Sequence, residues 1–126
     1  MKPSQILVIA SLLSLLLIMF HLTDDVLLKA EGAVKYPIPV IVFVVWLYGT
    51  LMLFERTSGY IIMLLGGLIA AGMIVVHSRG YVVAHSGGFF FVWTMFALSA
   101  TGWLTAILSA RGLWLTFRAR RSRLAR

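Results

Sequence analysis

Four long apolar segments, none of which contains Asp, Glu, Lys or Arg, constrain this chain more than any other feature. They cover about residues 6–22, 37–54, 59–77 and 88–110. Each is close to the roughly 17–25 residues that a helix needs to cross the hydrocarbon core of a bilayer. A spanning helix satisfies its own backbone groups, which an open strand in lipid cannot do. We therefore predict an all-α membrane protein, a four-transmembrane-helix bundle forming a single domain over residues 1–126.

Composition supports lipid as the solvent for most of the chain. Apolar residues make up 61% and charged residues 12%, with a mean hydropathy of +1.00, whereas soluble domains carry about 25% charged residues. A domain this small has too little interior to hide so much apolar surface. Since no acid lies within a span, an intramembrane ion path or proton relay is not indicated. There are no cysteines, which excludes disulfides and thiolate metal sites.

The distribution of basic residues predicts which ends of the helices face the cytoplasm. With four spans, both termini share one side with the turn at residues 55–58, and that side carries eight of the 11 basic residues. The positive-inside rule then places both termini in the cytoplasm. The first segment also resembles a secretory signal peptide, but no small-x-small cleavage site follows Phe20, so we expect it to remain as a span.

A basic tail, residues 111–126, follows the last span and accounts for much of the net charge of +7. Basic residues next to a spanning helix gain about 1 kcal/mol each from anionic lipid at the membrane surface. We therefore expect contact with anionic lipids at the cytoplasmic face, and no nucleic-acid binding. The residues predicted to make this contact are Arg118, Arg120, Arg121 and Arg123.

Small residues repeat at the spacing of one helical turn in the third and fourth segments, and this spacing lets helix backbones approach each other. A second face of the fourth segment carries hydroxyls at Thr101, Thr105 and Ser109, which either bond across helices or bond back to their own helix. Tryptophans within the spans are interpreted as packing residues. The predicted helix-packing positions are Gly66, Gly67, Ala70, Ala71, Gly102 and Ala106.

Histidines and carboxylates gather at the ends of the spans that lie opposite the termini. If the first helix continues past His21, Asp24 and Asp25 share its face at i+3 and i+4, with Ser14 and Ala10 further along that face. Imidazole and carboxylate groups suit a divalent transition metal, and histidine titrates near neutral pH. Alternatively, Thr23 or Asp24 is the N-cap of a separate short helix. The predicted metal or proton site consists of His21, Asp24, Asp25, His77 and His85.

Three stretches together resemble a group of small, uncharacterised bacterial four-span inner-membrane proteins. They are HLTDD at residues 21–25, WLYGT and SGY within residues 46–60, and GGFFFVWT and SARGLW within residues 87–114. The resemblance covers most of residues 6–115. It implies a multi-pass protein of the bacterial inner membrane and carries no catalytic role.

The leading functional hypothesis is a non-enzymatic inner-membrane protein that acts by helix packing, with itself as a homo-oligomer or within a larger membrane complex. The competing hypothesis is a metal-binding or proton-sensing membrane protein that uses the histidine–carboxylate cluster on its periplasmic side. A membrane enzyme acting on lipid or quinone has no nucleophile or cofactor motif behind it. Substrate, metal identity, oligomeric state, partner identity and the conformation of residues 23–36 are left open by the sequence.

Overall fold

A computed structural model describes residues 2–29, 37–78 and 89–124, without the side chains of residues 24–29, 37, 76–78 and 91. Within these ranges the chain is all-helical, as predicted. The helices are α1 (Pro3–Lys29), α2 (Pro37–Met52), α3 (Thr57–Ser78) and α4 (Phe89–Leu124).

The first helix begins at a cap that its sequence specifies. Pro3 occupies the first helical position, where its missing N–H costs nothing. The side chain of Gln5 reaches back to accept a hydrogen bond from the backbone N–H of Lys2, at 2.9 Å. This is the reciprocal half of a capping box. α2 likewise places two prolines, Pro37 and Pro39, in its first turn, where proline is tolerated.

Three of the helices are long and apolar enough to cross a membrane: Pro3–Thr23 within α1, Thr57–Val75 within α3, and Val92–Leu124 within α4. The predicted span at residues 37–54 corresponds to a shorter helix, because α2 has 16 residues and ends at Met52. At about 1.5 Å per residue it is roughly 24 Å long, against about 30 Å for the hydrocarbon core.

α4 is longer than its predicted span of 88–110, because the helix continues through the basic tail to Leu124 and contains 36 residues. The tail is rich in Arg, Ala and Leu, which favour helix. The helix continues through Gly112. The absence of a side chain at this position lets Tyr60 pack close to the backbone. A Cβ there would overlap the ring of Tyr60.

Neighbouring helices run antiparallel. As residue numbers rise along α3, the numbers of the facing residues in α4 fall: Tyr60 lies against Gly112, Gly67 against Ala106, and Ala71 against Ser99. Along α2 and α3, Gly49 faces Ile62 and Trp46 faces Gly66. Along α1 and α4, Pro3 lies near Leu115 and Phe20 contacts Phe90, so the last turns of α1 lie at the same end of the bundle as the last turns of α3. We call this the His21 end.

The core lies between the helices, and one face of α1 supplies much of it. The buried positions of α1 recur every three or four residues and are Leu7, Ala10, Ser11, Ser14, Leu15, Leu17, Ile18 and His21. Trp46, Met63 and Leu98 fill the space opposite, each at most 1% exposed. Large apolar side chains cover the outside, as expected of helices that contact lipid.

Candidate functional site

His21 lies on the core-facing side of α1, with 1% of its surface exposed. It is two turns from Ser14 along the same face, so an imidazole and a hydroxyl are both directed into the bundle. The neighbouring residue on α1, Phe20, makes an aromatic contact with α4. The ring of Phe20 meets that of Phe90 edge-on, with their centroids 6.4 Å apart. The fold therefore places a titratable side chain inside its His21 end.

The helix continues past His21, so the condition for aligning His21 with Asp24 and Asp25 is met by the backbone. α1 runs unbroken to Lys29, and the hydroxyl of Thr23 donates to the carbonyl of Met19, one turn back, at 2.8 Å. The alternative prediction that Thr23 or Asp24 caps a separate short helix is therefore wrong. The side chains of Asp24 and Asp25 lie outside the described residues.

The two other histidines are only partly located. His77 belongs to the last turn of α3, which ends at the same end of the bundle as His21, but its side chain is not described. His85 lies outside the described residues altogether. Within the part of the chain that the structure describes, no group of three or more His, Asp or Glu side chains is arranged to hold a metal. The site formed by all five residues stays a prediction.

Deeper in the bundle, three side chains join α1 to α2 through a closed ring of hydrogen bonds. Trp46 Nε1 donates to Ser11 Oγ at 2.8 Å, and Ser11 Oγ lies 2.7 Å from Thr50 Oγ1. Thr50 donates to the carbonyl of Trp46 at 2.9 Å. The Thr50 proton is used in that bond, so the Ser11 hydroxyl donates to Thr50. All three donors are satisfied, as buried polar groups require.

A second polar contact joins α1 to α4. Ser14 Oγ lies 3.3 Å from Thr105 Oγ1, but each hydroxyl is also within reach of a carbonyl one turn back, Ala10 O for Ser14 and Thr101 O for Thr105. The two hydroxyl protons are shared among three contacts. The hydrogen bond between the helices therefore forms only when Ser14 or Thr105 stops donating to the carbonyl of its own helix. This pair is less strongly held than the ring at Trp46.

Ser109 lies one turn further along α4 from Thr105. Its Oγ is fully buried and has no hydrogen-bond partner among the described residues. Ser99, in contrast, donates to the carbonyl of Ala71 at 2.6 Å and ties α4 to α3. Burying an unsatisfied hydroxyl costs about 1–3 kcal/mol, so Ser109 is a locally unfavourable position.

Most of the predicted packing residues lie inside the α3–α4 contact. A Cβ on Gly67 would come within 2.8 Å of Gly102 O and of Ala106 N, and one on Gly102 within 2.6 Å of Ala71 N. Ala70 is fully buried beside them. Gly66 faces α2 instead, where a Cβ would overlap the indole of Trp46. These small residues therefore mediate packing between helices of the same chain.

One glycine faces away from this contact. A Cβ added to Gly72 would meet nothing within 4 Å. It lines a hollow of about 270 Å³ on the outside of the α3–α4 pair, bordered by Leu68, Ala71, Ile74, Val75, Ser99 and Trp103. The indole of Trp103 is 56% exposed and stands at the edge of the hollow. Trp103 is therefore not a core packing residue, in contrast to Trp46.

The four arginines predicted to contact anionic lipid, Arg118, Arg120, Arg121 and Arg123, are all exposed on the last turns of α4. Arg118, Arg120 and Arg121 line a groove of about 460 Å³ together with Trp114, Phe117 and Leu124. Arg123 faces a different groove, which includes Thr57 at the start of α3.

Sequence reasoning singled out Ser14 but missed Ser11, Thr50 and the indole N–H of Trp46 as one polar group. The available signal was the presence of Ser11 and Thr50 inside otherwise apolar segments. In comparisons with known proteins, no family model, no curated protein and no solved structure matches this chain.

Proposed function

We propose that this chain is a non-enzymatic, multi-pass membrane protein that acts by packing against a second copy of itself. It crosses a bacterial inner membrane four times with both termini in the cytoplasm. Three helices of sufficient length support the spans. α2 completes the set because a short helix is accommodated by local thinning of the bilayer. The charge distribution supports the orientation.

The hollow at Gly72 is the observation that carries the proposal. Within lipid, helices associate through close van der Waals packing at small residues. Gly67 and Gly102 already use this packing inside the chain, whereas Gly72 is left open. The same patch also presents a protruding ring, Trp103. A two-fold symmetric contact needs one surface that complements itself, and a hollow beside a projecting indole provides both parts.

Fluorescence resonance energy transfer between copies labelled with a donor dye and copies labelled with an acceptor dye, reconstituted together in lipid vesicles, tests this proposal. The chain has no cysteine, so Ser122→Cys on the exposed end of α4 gives a single labelling site. We expect transfer for this parent protein and its loss in Gly72→Leu, which fills the hollow. The matched control is Val44→Leu, which adds one methylene to the exposed face of α2.

Two outcomes contradict the proposal. If the parent shows no transfer above that of a monomeric membrane protein at equal density, the chain does not pair with itself. If Val44→Leu abolishes transfer while Gly72→Leu leaves it intact, the contact surface is α2, and the exposed residues of that helix form the interface.

A second candidate function is a metal or proton site at the His21 end. The burial of His21 inside the bundle and the unbroken helix through Asp24 and Asp25 support it. Metal analysis of protein purified without a histidine tag tests it. Bound metal that is lost in His21→Ala and retained in Thr23→Ala supports the site. The proposal is contradicted if the wild-type protein binds no metal and if His21→Ala leaves the pH dependence of the protein's stability unchanged.

A further inference from the structure

The last turns of α4 lie at the edge of the helix bundle. Tyr60, near the start of α3, contacts Gly112, and Pro3, at the start of α1, lies near Leu115. These are the first turns of their helices. After Thr116, one side of α4 shares a groove with Thr57 at the start of α3, and every residue from 117 to 124 is exposed.

These last turns of α4 carry a groove with two chemically different parts. Trp114, Phe117 and Leu124 contribute large apolar side chains, of which 69%, 52% and 82% is exposed. Arg118 and Arg121 lie on the same helical face, four residues after Trp114 and Phe117 respectively, and Arg120 also lines the groove. Rings exposed next to guanidinium groups suit a ligand that is itself part apolar and part anionic.

The kind of basic residue narrows the ligand further. Residues 111–126 contain six arginines and no lysine. Topology alone needs only positive charge, which lysine supplies equally well. The planar guanidinium group also donates two parallel hydrogen bonds to a phosphate, and lysine cannot form this fork. The composition therefore favours recognition of a phosphate group over a general attraction to negative charge.

We propose that this groove binds the phosphate of an anionic phospholipid, with the upper part of the lipid lying against Trp114 and Phe117. Arg118 and Arg121 hold the phosphate, and Arg120 lies at its side. This inference rests on the membrane location in the proposed function but not on pairing between copies. Tryptophan is favoured at the interface, where its ring is apolar on one side and wet on the other. That places Trp114 at the depth of the glycerol backbone.

Native mass spectrometry of the full-length protein, released from detergent with equimolar phosphatidylglycerol and phosphatidylcholine, tests the site. We expect the wild-type protein to retain phosphatidylglycerol preferentially. Arg118→Gln combined with Arg121→Gln should lower this retention by more than about tenfold, because each substitution removes charge-assisted hydrogen bonds to the phosphate, worth about tenfold or more, as well as one charge. Trp114→Ala should also lower it while leaving the charge unchanged.

The matched control removes the same charge from the same end of the bundle. Arg56 and Arg111 do not line the groove, so Arg56→Gln combined with Arg111→Gln should lower the retention of phosphatidylglycerol by a clearly smaller factor than the loss of Arg118 and Arg121. All four arginines are exposed, so neither double variant is expected to disturb the bundle, and equal helical circular dichroism verifies this. Gly72→Leu should leave lipid retention unchanged, which separates this test from that of pairing.

Three results overturn the inference. Equal losses in the two double variants would mean that the tail attracts anionic lipid only through its total charge. Equal retention of the two lipids by the wild-type protein would mean that the groove does not select phosphatidylglycerol. Displacement of the lipid by millimolar glycerol phosphate, with that compound retained in its place, would mean that the groove is a site for soluble phosphates.

Discussion

Ser99 and Ser109 lie on the same helix, are both buried, and differ in one respect. Ser99 donates to the carbonyl of Ala71, whereas Ser109 Oγ has no partner among the described residues. Replacing both in turn by alanine therefore isolates the value of a partner, because the atoms removed are identical.

We expect Ser99→Ala to lower the free energy of unfolding by about 1 kcal/mol, and Ser109→Ala to leave it unchanged or raise it by up to about 1 kcal/mol. Reversible unfolding of the two variants by titration with a denaturing detergent checks this. A loss for Ser109→Ala as large as that for Ser99→Ala would show that Ser109 Oγ makes a stabilising bond.

Glu55 is the one non-glycine residue with a positive φ in the described part of the chain, at 66°. It lies in the turn between α2 and α3, where the N–H of Arg56 donates to the carbonyl of Leu53. A side chain in this left-handed conformation costs roughly 1 kcal/mol.

We therefore expect Glu55→Gly to stabilise the protein by a few tenths to about 1 kcal/mol, reduced by the greater freedom of glycine in the unfolded chain. The midpoint of thermal unfolding in detergent should rise. The control is Ser58→Gly at an exposed position nearby. It should not raise the midpoint of thermal unfolding, because Ser58 lies within helix α3.

At the scale of the elements, the contact between α3 and α4 depends on glycines that are not equivalent. Gly67 lies where two backbones touch, and Gly72 lies five residues further along the same helix with open space beside it. Gly67 has a small residue, Ala71, four positions further on, whereas Gly72 has Leu68 and Val76 at that spacing. The sequence therefore predicts close packing at Gly67 only; it does not show that the space beside Gly72 is open.

Gly67→Ala should destabilise the bundle by about 1–3 kcal/mol, because the new methyl group meets backbone atoms that cannot move aside without separating the helices. Gly72→Ala should be tolerated and should gain up to about 1 kcal/mol from the better helix propensity of alanine. Unfolding of both variants in monodisperse detergent micelles checks the difference. Equal destabilisation would mean that the helices are packed differently.

For the whole molecule, the antiparallel arrangement makes an orientation test direct. Thr23 is exposed near the His21 end and Ser122 is exposed at the opposite end of the bundle. With the charge distribution predicting cytoplasmic termini, Thr23→Cys should react in intact cells with a maleimide that does not cross membranes, and Ser122→Cys should react only after permeabilisation. The reverse pattern would contradict the proposed orientation.

The sequence by itself determined the helical secondary structure and the three helices that are long and apolar enough to cross a membrane. These follow from composition, segment length and the cost of exposing backbone to lipid. It also predicted which small residues pack between helices. It predicted further that His21, Asp24 and Asp25 share one helix face if the first helix continues past His21.

Tertiary structure decided which faces of the helices are internal. The segments are apolar nearly all round, and lipid is as apolar as the core, so hydrophobic periodicity does not mark the buried face. Only packing shows that Ser11, Trp46 and Thr50 form one hydrogen-bonded ring, and that Gly67 is enclosed while Gly72 is open. The physical reason is that hydrogen bonds and close contacts between helices depend on their rotation and register.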